Sequence, residues 1–171
     1  MGENLVYIGL INPKSPDNVG AVLRAAGCFR ADTVLYTGQR YATAAAFRTD
    51  TKDMAQRIPL LGVDTLPEQL MPGMQLVCVE LVEGATPLPA FVHPAQAMYV
   101  FGPEDGSIEQ TLIDRADAVV YLPTIGCLNL AATVNVVLYD RLAKTAGGAA
   151  GDGLIRQSRD RNNRLRCRPQ V

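Results

Sequence analysis

Residues 5–26 read LVYIGLINPKSPDNVGAVLRAA, and this stretch decides the fold class. Its first seven residues form a nearly continuous apolar run, which is typical of a strand buried on both faces. A loop rich in turn-forming residues follows. The apolar positions from Val19 to Ala26 then recur with helical spacing, so the stretch predicts a strand, a loop and a helix, with Asp17 or Asn18 as the helix cap.

The same alternation continues along the chain. Apolar runs predict further strands at residues 33–37, 58–63, 75–82, 97–101 and 118–122. Helical patterns fall at residues 42–47, 66–71, 107–115 (with Ser107 as cap) and 130–145. Strands that alternate with helices indicate an α/β domain with a mainly parallel sheet and helices on both faces. Ligands of such sheets bind where strands end, so the loops that follow strands are candidate sites.

Composition restricts the class of protein. The chain has 171 residues, of which 48% are hydrophobic and 19% are charged, as expected for one globular domain. It contains no apolar run of the ~20 residues that a membrane helix needs, and no signal peptide, so we expect a cytoplasmic protein. The four cysteines are widely spaced, which predicts buried, reduced thiols and no zinc site. The single histidine, His93, has no recognisable companion, so we expect neither a histidine metal site nor histidine catalysis.

Charge is distributed unevenly. Residues 1–155 carry 10 basic and 16 acidic side chains, whereas residues 156–171 carry six arginines and a single acid, Asp160. A glycine-rich stretch at 147–153 precedes the arginines and reads as a linker. We therefore predict a domain over residues 1–146, followed by a linker and an arginine-rich tail over 147–171. Such a tail fits a phosphate ligand, and the alternative is a solvated segment that only aids solubility.

Three loops that follow predicted strands hold the residues suited to chemistry. In the first, Asn18 stands at a helix start and Arg24 could bind a phosphate or carboxylate, or simply pair with a surface acid. In the second, Glu104 and Asp105 lie between two glycines, an arrangement that also fits an ordinary turn. The sequence contains no GxGxxG and no GxxxxGK[ST], so the common dinucleotide and P-loop sites are disfavoured.

The third loop, residues 123–129, leads into a helix that is apolar on most faces. Asn129 stands where this helix is expected to begin. A helix of this kind requires burial on several sides. Core packing would satisfy it, and so would contact with a second copy of the chain, which predicts a homodimer.

Taken in order, the three loops resemble the motifs of the SpoU/TrmH branch of the SPOUT methyltransferases. The resemblance spans about residues 5–142 and rests on Asn12, Asn18, Gly20, Arg24 and Ala26, then Phe101, Gly102 and Glu104, then Leu122, Pro123, Gly126, Cys127, Leu128, Asn129, Leu130, Tyr139 and Asp140. Four departures stand out. Gly106 comes one residue early, the third loop is shorter than is usual in the family, and Cys127 and Ala131 stand where the family has serines.

The resemblance implies methyl transfer from S-adenosylmethionine, without a metal, to a ribose 2′-hydroxyl of tRNA or rRNA. It also implies a trefoil knot near the carboxyl end of the domain, and a homodimer. By motif position the catalytic residues are Arg24, Asn18, Glu104 and Asn129. The cofactor residues are Leu81, Gly102, Leu122, Gly126, Cys127, Leu128 and Leu130. We expect Arg24 to lie beside the bound donor, where it orients a phosphate and polarises the hydroxyl.

Two other functions remain open from the sequence. Loss of both family serines fits an RNA-binding module of the same fold that no longer catalyses methyl transfer. The paired carboxylates fit a small-molecule α/β enzyme that uses Glu104 or Asp105 as an acid or base.

Overall fold

The computed structural model describes residues 3–46, 58–145 and 150–169. Within them the strands are β1 (Leu5–Leu10), β2 (Thr33–Tyr36), β3 (Leu60–Gly62), β4 (Gln75–Val79), β5 (Thr86–Pro87), β6 (Gln96–Phe101) and β7 (Ala118–Tyr121). The α-helices are α1 (Pro16–Cys28), α2 (Arg40–Ala45), α3 (Gln110–Arg115), α4 (Leu130–Lys144) and α5 (Asp152–Ser158). Single 3₁₀ turns cover Pro67–Gln69 and Leu88–Ala90.

The described strands form one sheet in the order β3-β2-β1-β6-β4-β7-β5, and every neighbouring pair is parallel. This confirms the predicted parallel sheet. Leu10 of β1 and Val79 of β4 both pair with Phe101, the last residue of β6. Three central strands therefore end at the same level, and the loops that follow them meet at one edge of the sheet.

Helices cover both faces of the sheet, as predicted. Side chains of β6 alternate between the faces, because successive residues of a strand point in opposite directions. Tyr99 and Phe101 pack in the layer that contains α1 and α4, whereas Met98 and Val100 pack in the layer that contains α3. From β1 the chain continues to β2, toward one edge of the sheet, whereas from β6 it continues to β7, toward the opposite edge. Such a switch in direction between neighbouring strands opens a crevice between their loops.

The two long helices begin at side-chain caps. Ser15 caps α1, because its hydroxyl accepts the backbone N–H of Asn18 at 3.3 Å. The predicted caps Asp17 and Asn18 are wrong, since Pro16 suits the first helical position and moves the start upstream. The predicted start of α4 at Asn129 is confirmed. The Oδ1 of Asn129 accepts the backbone N–H of Ala132 at 2.7 Å.

A single carboxylate explains two boundaries that the sequence misplaced. β4 ends at Val79 rather than residue 82, and α3 begins at Gln110 rather than at Ser107. The carboxylate of Glu80 accepts the N–H of Leu81 at 2.9 Å and that of Ile108 at 3.1 Å. The first bond turns the chain out of the strand, and the second holds the residues before α3 in a loop.

The chain after α4 holds a helix that the sequence pattern did not predict. α5 begins at Asp152, inside the glycine-rich stretch that we interpreted as a linker. All its side chains are exposed or half-buried. No helix of the described residues is long and apolar enough to cross a membrane.

Candidate functional site

A cavity of about 280 Å³ lies at the carboxyl edge of the sheet. This volume is near the lower end of the range for small-molecule sites, roughly 300–1,000 Å³. Its walls are the loops that follow β4, β6 and β7, together with the first turn of α1. The cavity brings together ten of the eleven residues predicted for the site: Asn18, Leu81, Gly102, Glu104, Leu122, Gly126, Cys127, Leu128, Asn129 and Leu130.

Arg24 does not line this cavity. Asn18 lies in the first turn of α1, and Arg24 follows six residues later, which places it about 9 Å further along the helix and about 120° around its axis. The side of α1 that faces the core is filled by Val22 and Ala25, both buried. Arg24 is exposed, and none of the described residues pairs with it. The expectation that its guanidinium lies beside the cavity of its own chain is therefore not met.

Glu104 joins the first loop to the second. Its carboxylate accepts the backbone N–H of Lys14 at 3.1 Å, that of Ser15 at 3.3 Å and the side-chain amide of Asn18 at 3.3 Å. Burial alone would raise the pKa of Glu104. The hydrogen bonds outweigh burial, and the pKa lies below its ordinary value. Glu104 is therefore an ionised clamp on the loop that carries Asn18.

Asp105, which follows Glu104, pairs with a residue that sequence analysis missed. The guanidinium of Arg40 binds both carboxylate oxygens of Asp105, at 2.8 and 3.0 Å. The same guanidinium donates two bonds to the carbonyl oxygen of Asn12, at 3.1 and 2.6 Å. The hydrogen bond from Arg40 lowers the pKa of Asp105. Arg40 thus fastens the end of β1 to the second loop, and no pattern near it in the sequence indicates this role.

Both carboxylates of the second loop are engaged and ionised. A general acid near neutral pH needs a raised pKa and a free face toward its substrate. The pKa values of Glu104 and Asp105 are both lowered, and Arg40 occupies both oxygens of Asp105. This arrangement argues against a small-molecule enzyme that uses either group as acid or base.

Gly102 permits a close approach between backbone and side chain in the cavity wall. A Cβ added there would lie 3.2 Å from the Oε2 of Glu80 and 3.2 Å from the backbone nitrogen of Ile108. Glu80 lines the cavity beside Leu81, and sequence analysis missed it too. Glu80 is the only charged residue in the predicted strand 75–82, and this was the available signal.

The third loop is largely exposed. Two threonines, one in this loop and one in the first turn of α4, supply hydroxyls at this wall of the cavity. Thr124 donates to the carbonyl oxygen of Gly126 at 3.0 Å, and Thr133 donates to that of Asn129 at 2.9 Å. Both threonines line the cavity. Ala131, at a family serine position, is buried in the core. Hydroxyl groups thus remain at this wall, although neither occupies the serine positions of the motif.

His93 has companions that the sequence did not reveal. Its Nδ1 lies 2.7 Å from the hydroxyl of Tyr99, and its Nε2 lies 2.7 Å from the Oδ2 of Asp140. Lys144 and Arg141 complete this network, at 2.7 Å from Asp140 and 2.9 Å from the Tyr99 hydroxyl. The network joins β6 to the second half of α4, away from the cavity, and is a structural feature.

The four thiols are free, as predicted, but only one of them is buried. Burial raises the pKa of Cys78 to about 12, so it stays protonated in the core. Cys28, Cys127 and Cys167 are exposed, and the prediction of buried thiols is wrong for these three. Among the residues described, no group of three or more His, Cys, Asp or Glu side chains could hold a metal ion.

The family model described as the SpoU rRNA Methylase family matches residues 5–139. A curated relative from Mycobacterium sp. (strain KMS), an uncharacterized tRNA/rRNA methyltransferase, is 30% identical over 146 residues. That alignment covers 80% of this chain and 46% of the relative, so the chain spans about half the length of the curated relatives it matches.

Solved structures share the fold at lower sequence identity. The SpoU methyltransferase AviRb from Streptomyces viridochromogenes, in complex with AdoMet, gives a TM-score of 0.71 at 17% identity and covers 87% of this chain and 61% of that one. The AdoMet-bound rRNA methyltransferase from Sinorhizobium meliloti gives 0.70 at 21% identity, over 83% of this chain and 57% of that one. A protein solved to explain 2-OH methylation of C/U34 on tRNA gives 0.70 at 20% identity, over 84% of this chain and 92% of that one.

Proposed function

The chain belongs to the SpoU rRNA methylase family, and we propose that it transfers a methyl group from S-adenosylmethionine to a ribose 2′-hydroxyl of tRNA or rRNA. The observation that carries the proposal is the cavity, because residues from all three motifs line it although they lie far apart in the sequence. Relatives named as tRNA/rRNA methyltransferases and AdoMet-bound proteins of the same fold support the assignment.

The cavity suits this cofactor chemically. Leucine side chains at positions 81, 122, 128 and 130 provide apolar surface for an adenine ring. The ionised carboxylate of Glu104 places negative charge near the cavity, where it would attract a cationic sulfonium. Gly102 leaves the backbone accessible for hydrogen bonds to the ligand. When bound, S-adenosylmethionine supplies the electrophilic methyl carbon and its sulfonium leaving group.

The side chains of the protein would position the ribose hydroxyl and assist the removal of its proton. Glu104 fixes the loop that carries Asn18, and Asn129 fixes the start of α4 beside the cavity. In-line transfer depends on such positioning, which supplies several kcal/mol of catalysis. A guanidinium with a pKa above ~12 is a poor base. We therefore assign Arg24 to orienting an RNA phosphate and polarising the hydroxyl, with that phosphate assisting proton removal.

The position of Arg24 connects this role to a homodimer. Since Arg24 does not face the cavity of its own chain, it would act at the cavity of a second copy. α1 and α4 pack against each other and leave Val136, Tyr139 and Leu142 exposed at 41%, 62% and 47%. Exposed apolar side chains on α4, close to the helix that carries Arg24, are suited to contact with another copy. The trefoil knot and the cytoplasmic location remain predictions.

Two measurements test the function. Calorimetry should detect binding of S-adenosylmethionine to the wild-type chain, and a Gly102→Trp variant, which fills the cavity, should not bind it. Mass spectrometry of tRNA and rRNA nucleosides should reveal one 2′-O-methylated nucleoside that is present in cells with the gene and missing without it. An unchanged nucleoside profile together with S-adenosylmethionine binding would favour the RNA-binding module that lacks catalysis. Absence of cofactor binding would contradict the whole assignment.

A further inference from the structure

The arginine-rich segment, residues 156–168, carries charge that the cavity does not use. It contains six arginines, no lysine and one acid, Asp160. The family model ends at residue 139, so the segment is an addition outside the part that the family accounts for. Five of the arginines are exposed, and Arg159 is half-buried.

No carboxylate among the described residues neutralises this charge. The ion pairs of those residues involve Lys14, Arg40, His93 and Lys144, and none involves the segment. Arg159 donates to the carbonyl oxygen of Leu165 at 3.4 Å rather than to an acid. Asp160 itself accepts the backbone N–H of Asn162. The body of the chain is acidic, yet its described acidic side chains do not bind these guanidinium groups, which leaves them available to an external anion.

The chemistry of the segment favours phosphates as that anion. A guanidinium presents a planar fork of donors that matches phosphate oxygens, and it stays charged at any physiological pH. A membrane-binding helix would need a broad apolar face, whereas α5 has seven residues and offers only Leu154 and Ile155. A run of arginines on an acidic body is instead the electrostatic pattern of proteins that bind the nucleic-acid backbone.

The segment is separate from the cavity, because none of its residues is among those that line it. A contact between the segment and RNA phosphates would therefore not occupy the cofactor site. It should change how tightly RNA binds and leave cofactor binding and the chemical step unchanged.

We infer that the arginine-rich segment is a sequence-independent RNA-binding arm, which binds phosphates of the RNA substrate outside the cofactor cavity. The inference rests on the proposed function for the identity of the substrate. Its own content, that RNA phosphates bind these six guanidinium groups, can be tested without turnover.

The experiment measures RNA affinity by fluorescence anisotropy over a salt series, with bulk tRNA and an unstructured single-stranded RNA as probes. One variant changes all six arginines to glutamine, and a matched variant changes all six to lysine. For the single strand, the wild type should show a steeper fall of affinity with salt than the glutamine variant, by up to about four in log–log slope. The lysine variant should keep most of that slope, because its charge is unchanged.

Calorimetry with S-adenosylmethionine and thermal unfolding should agree between wild type and both variants, which shows that the cavity and fold are intact. Equal RNA affinity and salt slope in the wild type and the glutamine variant would overturn the inference. So would binding of the wild type, but not of the glutamine variant, to phosphatidylserine vesicles without a difference on RNA. If the wild type fails to methylate RNA but the slopes still differ, the proposed function fails and the arm stands.

Discussion

Arg40 and Asp105 form a two-bond ion pair across 65 residues of sequence, with Nη1 to Oδ2 at 2.8 Å and Nη2 to Oδ1 at 3.0 Å. The same guanidinium holds the carbonyl oxygen of Asn12, whose backbone adopts a positive φ of 40°. That conformation is uncommon outside glycine. Arg40 therefore holds in place a turn at the end of β1, directly before the loop that carries Asn18.

Replacing Arg40 by lysine should impair catalysis although the charge is kept. Lysine lacks the planar fork, and its three N–H groups cannot reproduce the four hydrogen bonds that Arg40 donates to Asp105 and Asn12. Small displacements of positioning loops are costly, so we expect kcat/KM for RNA methylation to fall by about tenfold or more. Lys14→Ala is the matched control, because Lys14 reaches Asp105 only at 4.0 Å. Equal losses in the two variants would show that local charge matters rather than the fork.

Glu104→Gln should destabilise the fold and flatten its response to acid. A glutamine NH₂ would face donors that now bond to a carboxylate, which costs about 1–2 kcal/mol when a partly buried group loses its partner. The pKa of Glu104 is lowered in the folded state. Its stabilisation is therefore complete above its ordinary value of 4.5 and is lost as the pH falls below that.

Urea unfolding of the wild type and of Glu104→Gln at neutral and acidic pH measures this difference. The gap in unfolding free energy should be largest near neutral pH and should narrow in acid. A gap that stays constant across the series would mean that the charge of Glu104 contributes nothing.

Gly102→Ala should weaken cofactor binding and lower stability together. The added Cβ would lie 3.2 Å from the Glu80 carboxylate and from the backbone nitrogen of Ile108, which Glu80 binds. Overpacking of this kind typically costs about 1–3 kcal/mol. Gly20→Ala is the control for stability, since a Cβ there meets nothing within 4 Å and alanine favours the helix. Calorimetry with S-adenosylmethionine measures the affinity, and thermal unfolding measures the stability. Wild-type affinity or wild-type stability in Gly102→Ala would contradict the prediction.

How much could be predicted depended on how local each determinant is. The strands could be predicted because a strand buried on both faces is apolar throughout, without alternation of apolar and polar residues. The cavity loops could be predicted because glycines, prolines and Asn129 follow the ends of these strands. Arg40 and Glu80 could not be identified in this way, since their partners lie 65 and 28 residues away and only the sheet brings them together. His93 was missed for the same reason, because Asp140 lies 47 residues further along.

Acid should weaken the His93 network. The Tyr99 hydroxyl accepts from Arg141, so its hydrogen points to the Nδ1 of His93, and the Nε2–H donates to Asp140. Burial lowers the pKa of this neutral histidine and outweighs the hydrogen bond to Asp140. The ordinary pKa of histidine is 6.5. As the pH falls below this value, His93 binds a proton in the unfolded chain but stays neutral in the folded chain, so the free energy of unfolding declines.

Urea unfolding between about pH 5 and 7.5 measures that decline. His93→Gln should lack the part of the pH dependence that the wild type shows in this window. The neighbouring Asp140 has a lowered pKa and stays charged throughout this window. Tyr99→Phe should cost about 1–3 kcal/mol, since it leaves the Nδ1 of His93 without its donor. Parallel pH curves for the wild type and His93→Gln would contradict the assignment of a neutral histidine.

Mixed dimers test whether Arg24 acts on a second copy. Arg24→Ala should abolish methylation while the variant still binds S-adenosylmethionine, because Arg24 does not line the cavity of its own chain. Gly102→Trp should abolish methylation by filling the cavity, and it keeps Arg24. If Arg24 serves the partner's cavity, each mixed dimer has one intact cavity facing one intact Arg24. Coexpression of the two inactive chains should then restore about a quarter of the wild-type activity in a symmetric dimer.

Coexpressed chains that stay inactive although they form mixed dimers would show that Arg24 does not act in trans. Full wild-type activity of Arg24→Ala would remove Arg24 from the mechanism.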